Sequence, residues 1–214
     1  KKIVCENDTY LARAVIIATG AHHRKLGAKG EEILTGAGVS YCATCDGAFF
    51  KGKTTAVIGG GDVAIEDAIF LARMCSKVYL IHRRDELRGA KSLQNRLMSL
   101  DNVEVIWDTV VEEIVGSDKV EALKLNNKKT GEKSELKVDG VFVAVGIEPD
   151  SGQYAGQVET DNQGYIIAGE DGRTSVDGVF AAGDVRTKAL RQIITAAADG
   201  ANCITSAQSY LTRI

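Results

Sequence analysis

Cys42-Ala43-Thr44-Cys45-Asp46 places two thiols two residues apart, with a carboxyl group directly after the second. At the start of a helix this spacing brings both sulfurs within reach of a disulfide, and the aligned peptide dipoles there favour a thiolate. Dithiol–disulfide exchange must also move a proton, which Asp46 can give or take. The same residues admit two other readings, a zinc half-site and a pair of structural free cysteines. Zinc needs two further ligands, and His22, His23 and the scattered cysteines form no matched second pair. The other three cysteines, Cys5, Cys75 and Cys203, sit in apolar or mixed segments and read as small buried hydrophobes. An odd count without a secretory leader argues against a stapling disulfide framework.

A second constellation is Gly59-Gly60-Gly61-Asp62-Val63-Ala64, a G-x-G-x-x-A run between an apolar strand pattern and a helical one. Gly59 permits the tight turn, Gly61 lets a pyrophosphate approach the backbone, and Ala64 lets the helix pack on the sheet. With Asp62 these residues form a dinucleotide cradle at a helix N-terminus. An NAD site carries an acid about 20 residues after the first glycine. Here no acid occurs between Asp67 and Asp85, and the next strand ends in His82-Arg83-Arg84, with Arg88 beyond. Arginine forks suit a 2′-phosphate, so the cluster reads as a selector for NADPH; a solvated basic surface is the plainer alternative.

These residues need a scaffold, and the hydrophobic pattern supplies one. Residues 54–58 and 77–81 read as buried strands flanking a helix over 63–75, a βαβ unit. A helix over 90–100, a strand over 103–107, a hairpin of 120–125 with 135–138, and a buried strand over 141–145 complete that unit. Before it, 2–5 and 9–12 read as a hairpin and 14–18 as a strand buried on both faces. Residues 21–38 read as a linker. After Pro149 the pattern predicts a short strand over 165–168, a strand ending in Gly183-Asp184, and a terminal helix over 193–211. Domains are expected at 1–26, 27–146 and 147–214, the middle one inserted between two parts of another. The 214 residues carry a net charge of −3 and no apolar run longer than five residues, which excludes a helical membrane span and gives no electrostatic reason to expect nucleic acid.

Together, Cys42-Ala43-Thr44-Cys45-Asp46, Gly59-Gly60-Gly61-Asp62, His82-Arg83-Arg84-Asp85-Glu86-Leu87-Arg88 and Gly178-Val179-Phe180-Ala181-Ala182-Gly183-Asp184 resemble low-molecular-weight, bacterial-type thioredoxin reductases along essentially the whole chain. The resemblance implies an α/β fold of two Rossmann-like nucleotide-binding domains of the pyridine nucleotide-disulfide oxidoreductase type. The NADPH domain would be inserted into an incomplete FAD domain. It implies NADPH and FAD as cofactors, Cys45 toward the flavin, Cys42 exchanging with thioredoxin, and Asp46 as general acid. Thr19, Gly20 and Gly183 would lie along FAD, Asp184 on its ribityl chain, and Arg191, Gln192 and Ile193 beside the ring. It further implies a cytoplasmic homodimer whose domains turn on linkers near 24–30 and 144–149. The family's own FAD fingerprint does not precede Lys1, so the sequence reads as roughly the C-terminal two-thirds of a reductase, expected to hold FAD poorly and not to complete the reaction alone. A dithiol flavoprotein with another acceptor and a non-catalytic NADP-binding module are the competing readings.

Overall fold

The computed structural model describes residues 1–214 as two compact units, Lys1–His23 with Ile147–Ile214 (unit 1) and Arg24–Gly146 (unit 2). In chain order, unit 1 begins with strands β1 (Lys2–Val4), β2 (Thr9–Leu11), β3 (Val15–Ile17) and β4 (Ala21–His23). Unit 2 follows with α1 (Glu31–Leu34), β5 (Val39–Ser40), α2 (Ala43–Asp46), β6 (Thr54–Gly59), α3 (Asp62–Ala72), β7 (Lys77–Ile81) and α4 (Lys91–Met98). It continues through β8 (Val103–Ile106), β9 (Thr109–Val115), β10 (Ala122–Asn127), β11 (Lys133–Lys137) and β12 (Gly140–Ala144). Unit 1 resumes with β13 (Ile147–Pro149), β14 (Val179–Ala181) and α5 (Ile193–Leu211).

Unit 2 is built on a five-stranded parallel sheet in the order β5-β12-β6-β7-β8. Successive residues of β6 and β12 enter different cores, as a pleated strand requires. Val57 and Phe142 pack with Ala64, Ala68 and Leu71 of α3, while Ala56, Ile58, Val141 and Val143 pack with Leu123 and Ile114 of the antiparallel sheet β11-β10-β9. Both faces are covered, which is why these strands read as unbroken apolar runs. The small side chains of α3 let it lie close to the sheet. A Cβ on Gly59 would stand 2.6 Å from Ala64 Cβ and 2.4 Å from the Ala144 carbonyl oxygen.

Unit 1 holds the parallel pair β3–β14, the antiparallel pair β4–β13 and the hairpin β1–β2. The 19-residue α5 starts at a cap in which the Gln192 N–H donates to Thr195 Oγ1 at 3.1 Å. It buries Asp199, Cys203 and Ala207, spaced four apart on one face.

Four expectations are corrected here. Residues 21–38 contain the passage from unit 1 to unit 2 at His23 and Arg24 but are not a featureless linker: β4 pairs with β13, and the fully buried Glu31 carboxylate accepts the Leu26 and Gly27 N–H groups and the Tyr41 hydroxyl, each at 2.8 Å. β3 is not buried on both faces, because it has one strand partner and leaves Ile16 37% exposed. Residues 165–168 form only isolated bridges from Ile166 to Thr160 and Arg186, although Tyr165, Ile166 and Ala168 are buried. Cys75 and Cys203 are buried as expected, whereas Cys5 is exposed.

Candidate active site

The redox segment is a single helical turn. Cys42 is the N-cap of α2 and is bonded to Cys45, with an S–S distance of 2.06 Å and Cα atoms 5.3 Å apart. The Cys45 N–H points at Cys42 Sγ, 3.2 Å away. β5 sets this turn through Ser40, a buried hydroxyl that donates to Asp46 Oδ2 at 2.6 Å and accepts the Cys42 N–H at 3.0 Å. Cys45 is exposed, and Cys42 and Asp46 are half-buried. Tyr41, one residue before Cys42, is held by Glu31, and burial together with that carboxylate pushes its phenol up to about 12.

A cavity of about 400 Å³ opens in unit 2 at the carboxyl end of β6, where Gly59 and Gly60 meet His82, Arg83 and Arg88. Gly60 is required there, since a Cβ would stand 2.2 Å from the His82 ring. Gly61 faces open space, the condition for a phosphate to reach the backbone. Of the four basic residues singled out in the sequence, Arg83 and Arg88 line the cavity and Arg84 does not. His82 is 4% exposed; burial lowers its pKa, which keeps the imidazole neutral near pH 7. It therefore serves as the floor under Gly60 rather than as a cation, and its buried Nε2 has no hydrogen-bond partner. Asp62 stands at the start of α3, next to Gly61, as its place in the motif implies. Its Oδ1 accepts the Ala90 N–H at 2.7 Å. Arg24 and Lys25 also line the cavity. Sequence reasoning missed both, and the signal available was a cationic pair inside a stretch read as linker.

Unit 1 has its own cavity, about 260 Å³, walled by small residues including Ala18, Gly20, Gly183 and Gly200, together with Asp184. Asp184 Oδ1 is buried without a hydrogen-bond partner. Behind it, Asp199 on α5 accepts the Gly183 N–H, both Nε and Nη2 of Arg186, and Lys188 Nζ. Burial alone would raise this carboxyl, but those donors outweigh it and hold the pKa down at about 2. Thr19 Oγ1 donates to the Asp150 carbonyl oxygen at 2.7 Å. Arg191 stacks on Tyr165 at 3.9 Å, Gln192 caps α5, and Ile193 is 90% exposed, so none of these three lines the cavity.

The residues fit the two cofactors to different degrees. The glycine turn, its open face and the arginines Arg83 and Arg88 fit a phosphorylated dinucleotide. The orphaned Asp184 oxygen in a glycine-lined hollow fits a hydroxylated segment of a flavin nucleotide, and 260 Å³ holds only part of one.

Residues 1–200 match the family described as pyridine nucleotide-disulphide oxidoreductase. The thioredoxin reductase of Listeria innocua is 49% identical over 100% of this chain and 67% of its own length, and that of Bacillus subtilis is 46% identical over 100% and 68%. The crystal structure of thioredoxin reductase from Streptococcus pyogenes superposes with a TM-score of 0.94 at 48% identity, covering 100% of this chain and 70% of that one. The chain thus spans about two thirds of the length of these relatives, and it belongs to the thioredoxin reductase family of pyridine nucleotide-disulphide oxidoreductases.

Proposed function

We propose that this chain carries the NADPH-binding part and the exchanging dithiol of a thioredoxin-disulfide reductase. The observation that supports this most is the Cys42–Cys45 disulfide standing in the same compact unit as the arginine-lined glycine cavity. The two cofactors, when bound, supply the hydride and electron transfer that reduces this disulfide.

The chain's own residues do the rest. The α3 N-terminus and the open face of Gly61 receive the pyrophosphate, while Arg83 and Arg88 hold the 2′-phosphate. In the reduced state the Cys42 thiolate attacks one sulfur of an acceptor disulfide, forming a mixed disulfide and expelling the other acceptor sulfur as a thiolate. The Cys45 thiolate then attacks Cys42 Sγ, which restores the Cys42–Cys45 disulfide and releases the second acceptor thiolate. Two electrons pass to the acceptor, and two protons follow from the dithiol. Asp46, oriented by Ser40, moves one of them, and Ser40 also fixes the Cys42 backbone. Of the expected residues in unit 1, Gly20, Gly183 and Asp184 line the hollow that would take part of the flavin nucleotide, and Thr19, next to Gly20, is bonded to the Asp150 carbonyl oxygen. Thioredoxin is the proposed acceptor, in the cytoplasm, with a homodimer as the working form. No helix is long and apolar enough to cross a membrane.

A trapping experiment tests the order of the cysteines. Reduced Cys45→Ser chain mixed with oxidised thioredoxin should accumulate a mixed disulfide through Cys42, visible by intact mass. Trapping by Cys42→Ser instead would reverse the assignment, and trapping only with other disulfide proteins would move the acceptor.

A further inference from the structure

The carboxylate of Asp62 sits at the start of α3, where the reading above places an anionic pyrophosphate. A negative charge there works against a phosphate ligand, so its presence calls for another task, and the geometry supplies one. Residues 82–90 connect β7 to α4 and carry Arg83 and Arg88, two of the arginines of the cavity. The far end of this loop is fastened to the glycine turn. The Arg88 N–H donates to the Gly60 carbonyl oxygen at 2.7 Å, and Gln94 Nε2 donates to the Gly89 carbonyl oxygen at 2.7 Å. Gly89 lies so close to α3 that a Cβ would stand 2.5 Å from Ile65 Cδ1 and 3.0 Å from Asp62 Oδ1. The charged fastener is Asp62, whose Oδ1 accepts the N–H of Ala90, two residues after Arg88. Ala90 is the N-cap of α4 and has no capping side chain, and α4 has no acid in its first turn, so Asp62 also supplies the anion that this helix start lacks.

We infer that Asp62 is a positioning residue that sets nucleotide specificity: by tying Ala90 to the glycine turn it holds the Arg83–Arg88 loop where a 2′-phosphate would meet it. The inference rests on the NADPH reading of the unit 2 cavity and goes beyond it, because it assigns discrimination to an acid whose carboxylate holds the Ala90 backbone. The glycine turn itself is held by β6 and α3, so loosening the loop weakens the 2′-phosphate contact while leaving the pyrophosphate cradle in place. The residue is exposed, and its replacement leaves no buried gap.

The test is direct binding of NADPH and of NADH to the 214-residue chain, read from the fluorescence of the reduced nicotinamide. Wild type should prefer NADPH. Asp62→Ala and the shorter-reaching Asp62→Ser should each cut that preference about ten-fold, as loss of the hydrogen bond to the Ala90 N–H predicts, with NADH binding held or slightly tightened. Asp62→Asn keeps an oxygen for the Ala90 N–H and should keep the preference. An unchanged ratio in Asp62→Ala and Asp62→Ser, or an equal loss for both nucleotides, overturns the inference and leaves the NADPH reading standing. A wild-type chain with no preference for NADPH overturns the reading and the inference together.

Discussion

In unit 2, β6 and β12 lie inside a parallel sheet with helices on one face and a second sheet on the other, and four consecutive residues of each are buried. In unit 1, β3 carries the same kind of apolar run but has one strand partner and a half-exposed Ile16. Val4, Leu11, Ile193 and Ile194 of that unit are also exposed. Apolar burial is the main favourable term in folding, worth about 25 cal/mol per Å², so within these 214 residues, about two thirds of the relatives' length, the two units should differ in how strongly they hold together. Their cavities differ in the same sense. The unit 2 cavity has its glycine turn, floor and arginine loop locked to one another, whereas the unit 1 hollow rests on one buried ionic hub.

The largest effect expected is on the chemistry of unit 2. Cys42→Ser should lower disulfide exchange with thioredoxin by a factor on the order of 10³ or more, because the attacking thiolate is gone. Residual exchange near wild type, measured by thiol trapping, would show that Cys45 attacks instead.

Next is the hub of unit 1. Asp199→Ala leaves Arg186 and Lys188 buried without their carboxylate, and removing one partner of such a cluster costs about 3–5 kcal/mol. Denaturant unfolding should show that loss in unit 1, with the unit 2 transition unmoved; a loss below about 1 kcal/mol would mean that water reaches the cations. The same carboxyl gives a pH signature. Its pKa is about 2 in the fold against 3.8 unperturbed, so its contribution is fully present above 3.8 and is lost as pH falls through about 2. Unit 1 should weaken over that window, and Asp199→Asn should remove this part of the slope.

Gly60→Ala sharpens the comparison from the other side. Its Cβ would enter the His82 ring, so unit 2 should lose about 1–3 kcal/mol and NADPH affinity should fall with it. Unchanged affinity would show that the floor can move. The smallest effect is local opening. Amides of β1–β2 and β4–β13 should exchange with solvent faster than those of β6, β7 and β12, and equal rates would erase the distinction between the units.

What the sequence discloses follows the same division. The β6–α3–β7 unit is local, and its turn, helix face and both strands can be read within about 30 residues. α5 is legible for the same reason and spans the expected 193–211. β4 pairs with β13 more than a hundred residues away, and α1 depends on the Glu31 carboxylate gathering two backbone amides and Tyr41, so neither leaves a periodic signal. β9 hides behind a bulge. Glu112 is the extra residue where the register against Lys124 and Leu125 shifts, and it breaks the alternation that would mark a strand. At the site, the residue types announce their chemistry, but their assignments depend on packing. His82 looks like one more cation until Gly60 closes over it, and the motif that places Asp62 at the helix start gives no sign that its Oδ1 takes the Ala90 N–H from across the loop.

The most direct measurement is a single turnover of the dithiol. The chain would be reduced, freed of reductant and mixed with one equivalent of oxidised thioredoxin, and the thiols of both proteins counted by alkylation and mass. The account predicts that the Cys42–Cys45 disulfide re-forms as thioredoxin becomes a dithiol, nearly one for one. Cys42 and Cys45 remaining reduced beside an oxidised thioredoxin would contradict it.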